Sequence, residues 1–157
     1  MQKLDSKKPS SKVSQNICVV LSLPHPPVAW SMVNWYWKKI CGIPFLLRNI
    51  FNIQRSGVES IIIYSDTENV SLYKNICKEN KITAKVTLET NVKKVIRATE
   101  NFSTLILNGG AIHATQEIEF GMDFTNQSDG ELVYSIAPKN MAVTLDQIII
   151  GKKVSLS

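Results

Sequence analysis

Two continuous apolar runs rich in β-branched side chains, Ile17-Cys18-Val19-Val20-Leu21 and Ser60-Ile61-Ile62-Ile63-Tyr64, constrain this chain most. Neither alternates polar with apolar, so neither suits a sheet with one wet face. Runs of this kind belong to strands covered on both faces, as in parallel sheets. A third strand is expected over 83–88, where the pattern alternates. A fourth is expected at Thr104-Leu105-Ile106-Leu107, ending at Asn108-Gly109-Gly110.

The segments between these runs carry helical spacing. In 44–56, Leu46, Leu47, Ile50 and Ile53 recur on one face. Pro44 fits the first turn, where its missing N–H has no intrahelical partner, and Gly57 is a natural stop. Ser65 or Asp66 is expected to cap the next helix, with Val70, Tyr73, Ile76 and Cys77 as its inward stripe. Thr90 is expected to cap a helix carrying Val92, Val95, Ile96 and Thr99. The long connection 24–41 holds all three tryptophans, and part of it, 28–37, reads as a short helix. Beyond Gly110, Ser128-Asp129-Gly130 is a turn signal, 131–137 a strand and 143–150 a further strand, with Gly151 and Lys152 turning into a short final segment. Strands alternating with helices predict an α/β, three-layer, Rossmann-like, mainly parallel sheet with helices on both faces. Ligands of such sheets sit beyond the carboxyl ends of the strands. Those ends are 23–27, 64–66, 88–90 and 108–112.

Composition narrows the function classes. Charged residues make up 20% of the 157 residues and apolar ones 44%, as in ordinary globular domains. No apolar run approaches the ~20 residues that span a bilayer. The basic start followed by an apolar stretch imitates a leader. That stretch ends in Pro24-His25-Pro26-Pro27 rather than at a small-residue cleavage site, so a cytoplasmic location is expected. Residues 1–15 are polar and lysine-bearing and read as a disordered basic tail, with 16–157 as one α/β domain. Much of the net charge of +5 lies in that tail, so the remaining surface has no basic stripe for nucleic acid. Cys18, Cys41 and Cys77 lack metal spacing and read as buried thiols.

The stretch Gly42-Ile43-Pro44-Phe45-Leu46-Leu47-Arg48 through Gln54-Arg55-Ser56-Gly57-Val58-Glu59-Ser60-Ile61-Ile62-Ile63 resembles the G-x-P-L-L-x-R … A-G-I-x-x-I-x-I-V segment of nucleotidyltransferases with a glycosyltransferase-A-like fold. The closest flavour is the sugar- or polyol-phosphate cytidylyltransferase type. The resemblance implies a nucleotide-diphospho-sugar transferase-like fold, transfer of a nucleotidyl group with release of pyrophosphate, and Mg2+ as cofactor if the chain is active. It also implies a partner, a membrane-embedded CDP-alcohol phosphatidyltransferase, and with it a membrane-associated location.

The departures point away from catalysis. Where the family has a glycine-rich phosphate loop with an arginine, this chain has Ser22-Leu23-Pro24-His25-Pro26-Pro27, and prolines remove donors. The position of the family's metal-binding aspartate falls on Gly110. Asn108 offers only an amide oxygen there, and His113 is a poor magnesium ligand. Few residues remain after Gly110 for an acceptor lobe. No catalytic residue is therefore assigned. The candidate nucleotide-binding residues are Lys38, Lys39, Asn108, Gly109 and Gly110, with Arg48 and Ala111 beside them if the chain is active. Lys38 and Lys39 can reach a phosphate, and simple solvation explains them more economically. Asn108-Gly109-Gly110 can bind an anion through its amides or be a turn needing positive φ. Trp30, Trp35, Tyr36 and Trp37 beside the two lysines suit a protein or membrane interface, or else cover an edge of the sheet. The expected function is a non-catalytic nucleotidyltransferase-like domain acting as a binding or partner subunit. The alternatives are a divergent active transferase and a Rossmann-like basic binding module.

Overall fold

The apolar runs pair side by side, all in parallel. The computed structural model describes residues 17–126, 132–136 and 153–156. Its strands are β1 (Ile17–Ser22), β2 (Lys39–Ile40), β3 (Ile43–Pro44), β4 (Ser60–Tyr64), β5 (Lys85–Glu89), β6 (Ser103–Asn108), β7 (Leu132–Ile136) and β8 (Lys153–Leu156). Its helices are α1 (Met32–Tyr36), α2 (Phe45–Arg55), α3 (Val70–Lys78), α4 (Val92–Ala98) and α5 (Thr115–Asn126). The main sheet runs β5-β4-β1-β6-β7-β8. From β1 the chain builds outward through β4 to β5, then α4 carries it back to β6 on the other side of β1. The strand order thus reverses between β1 and β6, which is the position where open α/β sheets hold their ligands.

Alternate residues of each strand face opposite layers, because the side-chain period is two. Val19 and Leu21 of β1, Ile61 and Ile63 of β4, and Leu105 and Leu107 of β6 join α1, α2, α3 and α5 in the larger core. Cys18, Val20, Ile62, Tyr64 and Ile106 face the other way and meet Val95 of α4. Helices therefore cover both faces, as expected. Among the described residues, no helix is long and apolar enough to cross a membrane.

Helix α2 is held by packing. Phe45, Leu46, Leu47, Ile50 and Ile53 are all buried, and burial of one such side chain contributes about 1.5–3 kcal/mol. Propensity differences of less than about 1 kcal/mol per residue are small beside that. Pro44 sits one position earlier than expected, as the N-cap. The Phe45 amide donates to the Lys38 carbonyl at 2.8 Å. Gly57 takes φ +98 just past the Ser56 C-cap of α2, the left-handed stop that favours glycine. The β2–β3 hairpin turns on Cys41 (φ +50) and Gly42 (φ +85), a two-residue primed turn. Arg48 fixes that turn: its Nε donates to Ile40 O at 2.8 Å and its Nη2 to Cys41 O at 3.1 Å.

Several local expectations are corrected. The short helix in the connection is only Met32–Tyr36, capped by Ser31, whose Oγ accepts from Asn34 N. Helix α3 is not capped by Ser65 or Asp66. Ser65 Oγ turns onto Thr67, and the helix begins after Asn69. That start sets the helix phase: Leu72 and Ile76 are its buried residues, while Val70, Tyr73 and Cys77 are exposed. Asn91 rather than Thr90 caps α4, accepting from Lys93 N and Lys94 N. Of the cysteines only Cys18 is buried. Cys41 lies in the hairpin turn and Cys77 on the outer side of α3. The expected tail, the 128–130 turn and the 143–150 strand lie outside the described residues, whereas β7 falls within the expected 131–137.

Candidate functional site

The switch point is built from the ends of β1 and β6, where Ser22 lies beside Asn108. Both strands continue their ladder into the loops. Leu23 N donates to Tyr64 O at 2.8 Å, and Gly109 N donates to Ser22 O at 2.6 Å. The two loops then press together. A Cβ at Gly109 would stand 2.4 Å from Leu23 Cδ2 and 2.9 Å from Ser22 O. A Cβ at Gly110 would stand 2.8 Å from Pro24 Cγ. Neither glycine has positive φ, so the expectation of a left-handed turn here is corrected. These positions need glycine for close approach of backbone to backbone.

The amides of this turn point inward. Gly109 N serves Ser22 O, Gly110 N donates to Asn108 Oδ1 at 2.9 Å, and Ala111 N donates to Asn108 O at 3.4 Å. An anion-binding nest requires successive N–H groups directed at the ligand. The Asn108 amide oxygen, the one candidate metal donor of the turn, is the acceptor for Gly110 N. The donor set at this strand end therefore does not fit the magnesium ion that the resemblance implies, because no carboxylate stands there. Among the described residues, no three His, Cys, Asp or Glu side chains gather as metal ligands would.

The sequence reading missed what holds this loop. Asn49, fully buried in α2, donates through Nδ2 to Ala111 O at 2.8 Å and accepts from His113 N at 2.9 Å. Asn52, one turn further on, donates to His113 O at 2.8 Å. The signal was present: Asn49 is a polar residue inside the apolar stripe of 46, 50 and 53. His113 is 2% exposed, with Nε2 2.7 Å from Asn108 O. A carbonyl has no proton to give, so Nε2 carries the hydrogen. Nδ1 lies 3.2 Å from Glu117 Oε1 and makes no hydrogen bond. Asp66 pairs with His25 at 2.9 Å instead of capping α3. Both side chains are more than half exposed, so the pair is worth at most about 1 kcal/mol.

The aromatic connection divides into two parts. Tyr36 is buried, stacks on Phe45 with centroids 5.6 Å apart, and donates its hydroxyl to Pro24 O at 2.5 Å. It therefore props the β1 loop from beneath. Trp35 and Trp37 are half-buried against the larger core. Trp30 is 41% exposed, meets Trp35 edge to face at 5.2 Å, and has Lys38 Nζ 5.0 Å above its ring. Of the four aromatic candidates, Trp30 is thus exposed, Trp35 and Trp37 half-buried and Tyr36 buried. Lys39 is exposed in the hairpin.

Burial pushes the Tyr36 phenol well above its ordinary range. The folded state resists ionisation while the unfolded chain ionises near pH 10. The resulting stability is present below that pH and declines as pH rises beyond it. Tyr36→Phe is expected to flatten the alkaline fall of the unfolding free energy, read by urea titrations at successive pH values. An unchanged slope would remove Tyr36 as its source.

A cavity of about 330 Å³ lies beyond β4 and β5, floored by Leu23, Ile63, Leu72 and Leu88. None of the candidate nucleotide-binding residues lines it. No family model, no characterised protein and no solved structure matches the chain.

Proposed function

We propose that this chain is a non-catalytic α/β domain of nucleotidyltransferase-like descent that serves as a binding or partner subunit. The observation supporting this reading is the closed switch point. Leu23 and Pro24 occupy the space against Gly109 and Gly110 where phosphates would have to lie, and the turn amides are engaged within the chain. Phosphoryl chemistry depends on positioned donors and cations around the transferring group, and this strand end supplies none in a usable direction. The Trp30–Trp35–Lys38 ridge, exposed at Trp30 and Lys38, is the surface offered to a partner, since aromatic and cationic groups together suit interfaces. On the resemblance, that partner is a membrane-embedded CDP-alcohol phosphatidyltransferase.

The test is incubation of the chain with each common NTP, Mg2+ and a panel of sugar and polyol phosphates, with pyrophosphate release as readout. Release at the level of the enzyme-free blank is expected, together with no nucleotide-dependent shift of the unfolding midpoint. Turnover with any pair would overturn the reading.

A further inference from the structure

Strand β5 ends the sheet at one side, pairing only with β4 among the described residues. Exposed strand edges invite pairing with another chain, so the residues on such an edge reveal how it is managed. The backbone direction of β5 is fixed by its neighbour. Lys85 N donates to Glu59 O at 2.8 Å, and Ser65 N donates to Glu89 O at 3.2 Å. Lys85, Thr87 and Glu89 therefore direct their N–H and C=O groups toward β4. By alternation, Val86 and Leu88 direct theirs to the open edge.

We infer that β5 is a homodimerisation edge, on which two copies pair antiparallel about a two-fold axis through Thr87. This register satisfies two independent conditions. First, Val86 of one copy stands opposite Leu88 of the other. Both have outward backbone groups, so each pair exchanges its N–H and C=O bonds. Second, Lys85 stands opposite Glu89 of the other copy, and the two-fold axis repeats that pair on the other side. Lys85, Thr87 and Glu89 share one face of the strand, beside α4. They occupy the non-hydrogen-bonded positions, where opposing side chains approach most closely. Thr87, exposed and of modest size, meets its own copy at the axis. Val86 and Leu88 lie on the opposite face, packed on the larger core.

The charge order makes a second copy a better occupant than a foreign strand. An arbitrary peptide must bring an acid opposite Lys85 and a base opposite Glu89. A second copy brings both by symmetry, and isologous interfaces are built in this way. Glu89 retains one oxygen for this role, because only Oε2 accepts from Thr90 N and Asn91 N, at 3.1 and 3.2 Å. A five-residue edge buries little surface, so the association is weak and concentration-dependent.

The experiment is sedimentation velocity of the full chain from low micromolar to several hundred micromolar, with Lys85→Glu and Glu89→Lys made separately. The wild type is expected to shift from monomer to dimer as concentration rises. Each single variant places like charges opposite each other twice and is expected to weaken dimerisation about tenfold or more. Mixing the two variants restores opposite charges at both pairs, so the mixture is expected to dimerise as the wild type does. Circular dichroism of each variant shows that the fold is kept. As a register test, Thr87→Cys in a Cys41→Ser, Cys77→Ser background is expected to give a disulfide-linked dimer on mild oxidation. A wild type that stays monomeric throughout would overturn the proposal. So would single variants that dimerise as well as the wild type, or a mixture that does not recover.

Discussion

Asn49→Leu is expected to destabilise the chain by about 3 kcal/mol, since a buried group left without its partner costs about 1–3 kcal/mol and bulkier methyl groups crowd a closely packed site. Leucine has the same branched skeleton with bulkier ends, so no cavity opens and the site is crowded instead. What changes is that the buried His113 N and the part-buried Ala111 O lose the side chain that pairs with both of them. Greater apolar burial by leucine offsets part of the loss. For a chain of this length, about 3 kcal/mol corresponds to a fall of roughly 6–12 °C in the unfolding midpoint. Asn52→Leu is the internal control. Asn52 is half-buried and makes one bond to the same loop, so a distinctly smaller fall is expected. Thermal melts of the two variants beside the wild type decide the matter. Equal midpoints for Asn49→Leu and wild type would mean that the 108–113 loop is held by other contacts.

Gly109→Ala is the second substitution expected to act strongly. Its new methyl meets two obstacles of different stiffness. Leu23 Cδ2, at 2.4 Å, is the end of a flexible side chain and can rotate away. Ser22 O, at 2.9 Å, is backbone and accepts the bond from Gly109 N, so it can move only by parting β1 from β6. Forced overpacking of a tight site costs about 1–3 kcal/mol, and a value near the upper end is expected here. Truncating Leu23 in the same background separates the obstacles. Leu23→Ala with Gly109→Ala should recover only the part of the coupling that Leu23 causes, as a double-mutant cycle in urea reports. Gly109→Ala with wild-type stability would show that the two loops do not touch as described.

The scaffold was legible because its signals are strong and redundant. The runs at 17–21 and 60–64 have no polar positions to spare for solvent, and the structure makes them the central strands β1 and β4. The stripe of 46, 47, 50 and 53 likewise admits one orientation of α2. Helix α3 was misread because 70, 73, 76 and 77 and 72 and 76 are both plausible stripes. The choice between them depends on where the 65–69 turn releases the chain. The site was less legible. Gly109 and Gly110 offer the same letters whether they cradle an anion or admit Leu23 and Pro24, and only the distance between two loops separates these uses. Asn49 was passed over because one asparagine on an apolar face carries no motif, and its two partners lie 62 and 64 residues away.

The place of β1 in the middle of the sheet has a consequence for how the chain is made. Its neighbours begin at Ser60 and Ser103, so neither is local to it. During synthesis β1 emerges first and stays unpaired until β4 follows, and its second edge stays open until β6 is also out. Sequence-distant parallel pairing is slow, and unpaired apolar strands are aggregation-prone while they wait. A strand buried along its whole length in the folded chain is therefore exposed on the nascent chain until both partners are out. Its yield in cells should depend on what shields Ile17 to Leu21 during that interval.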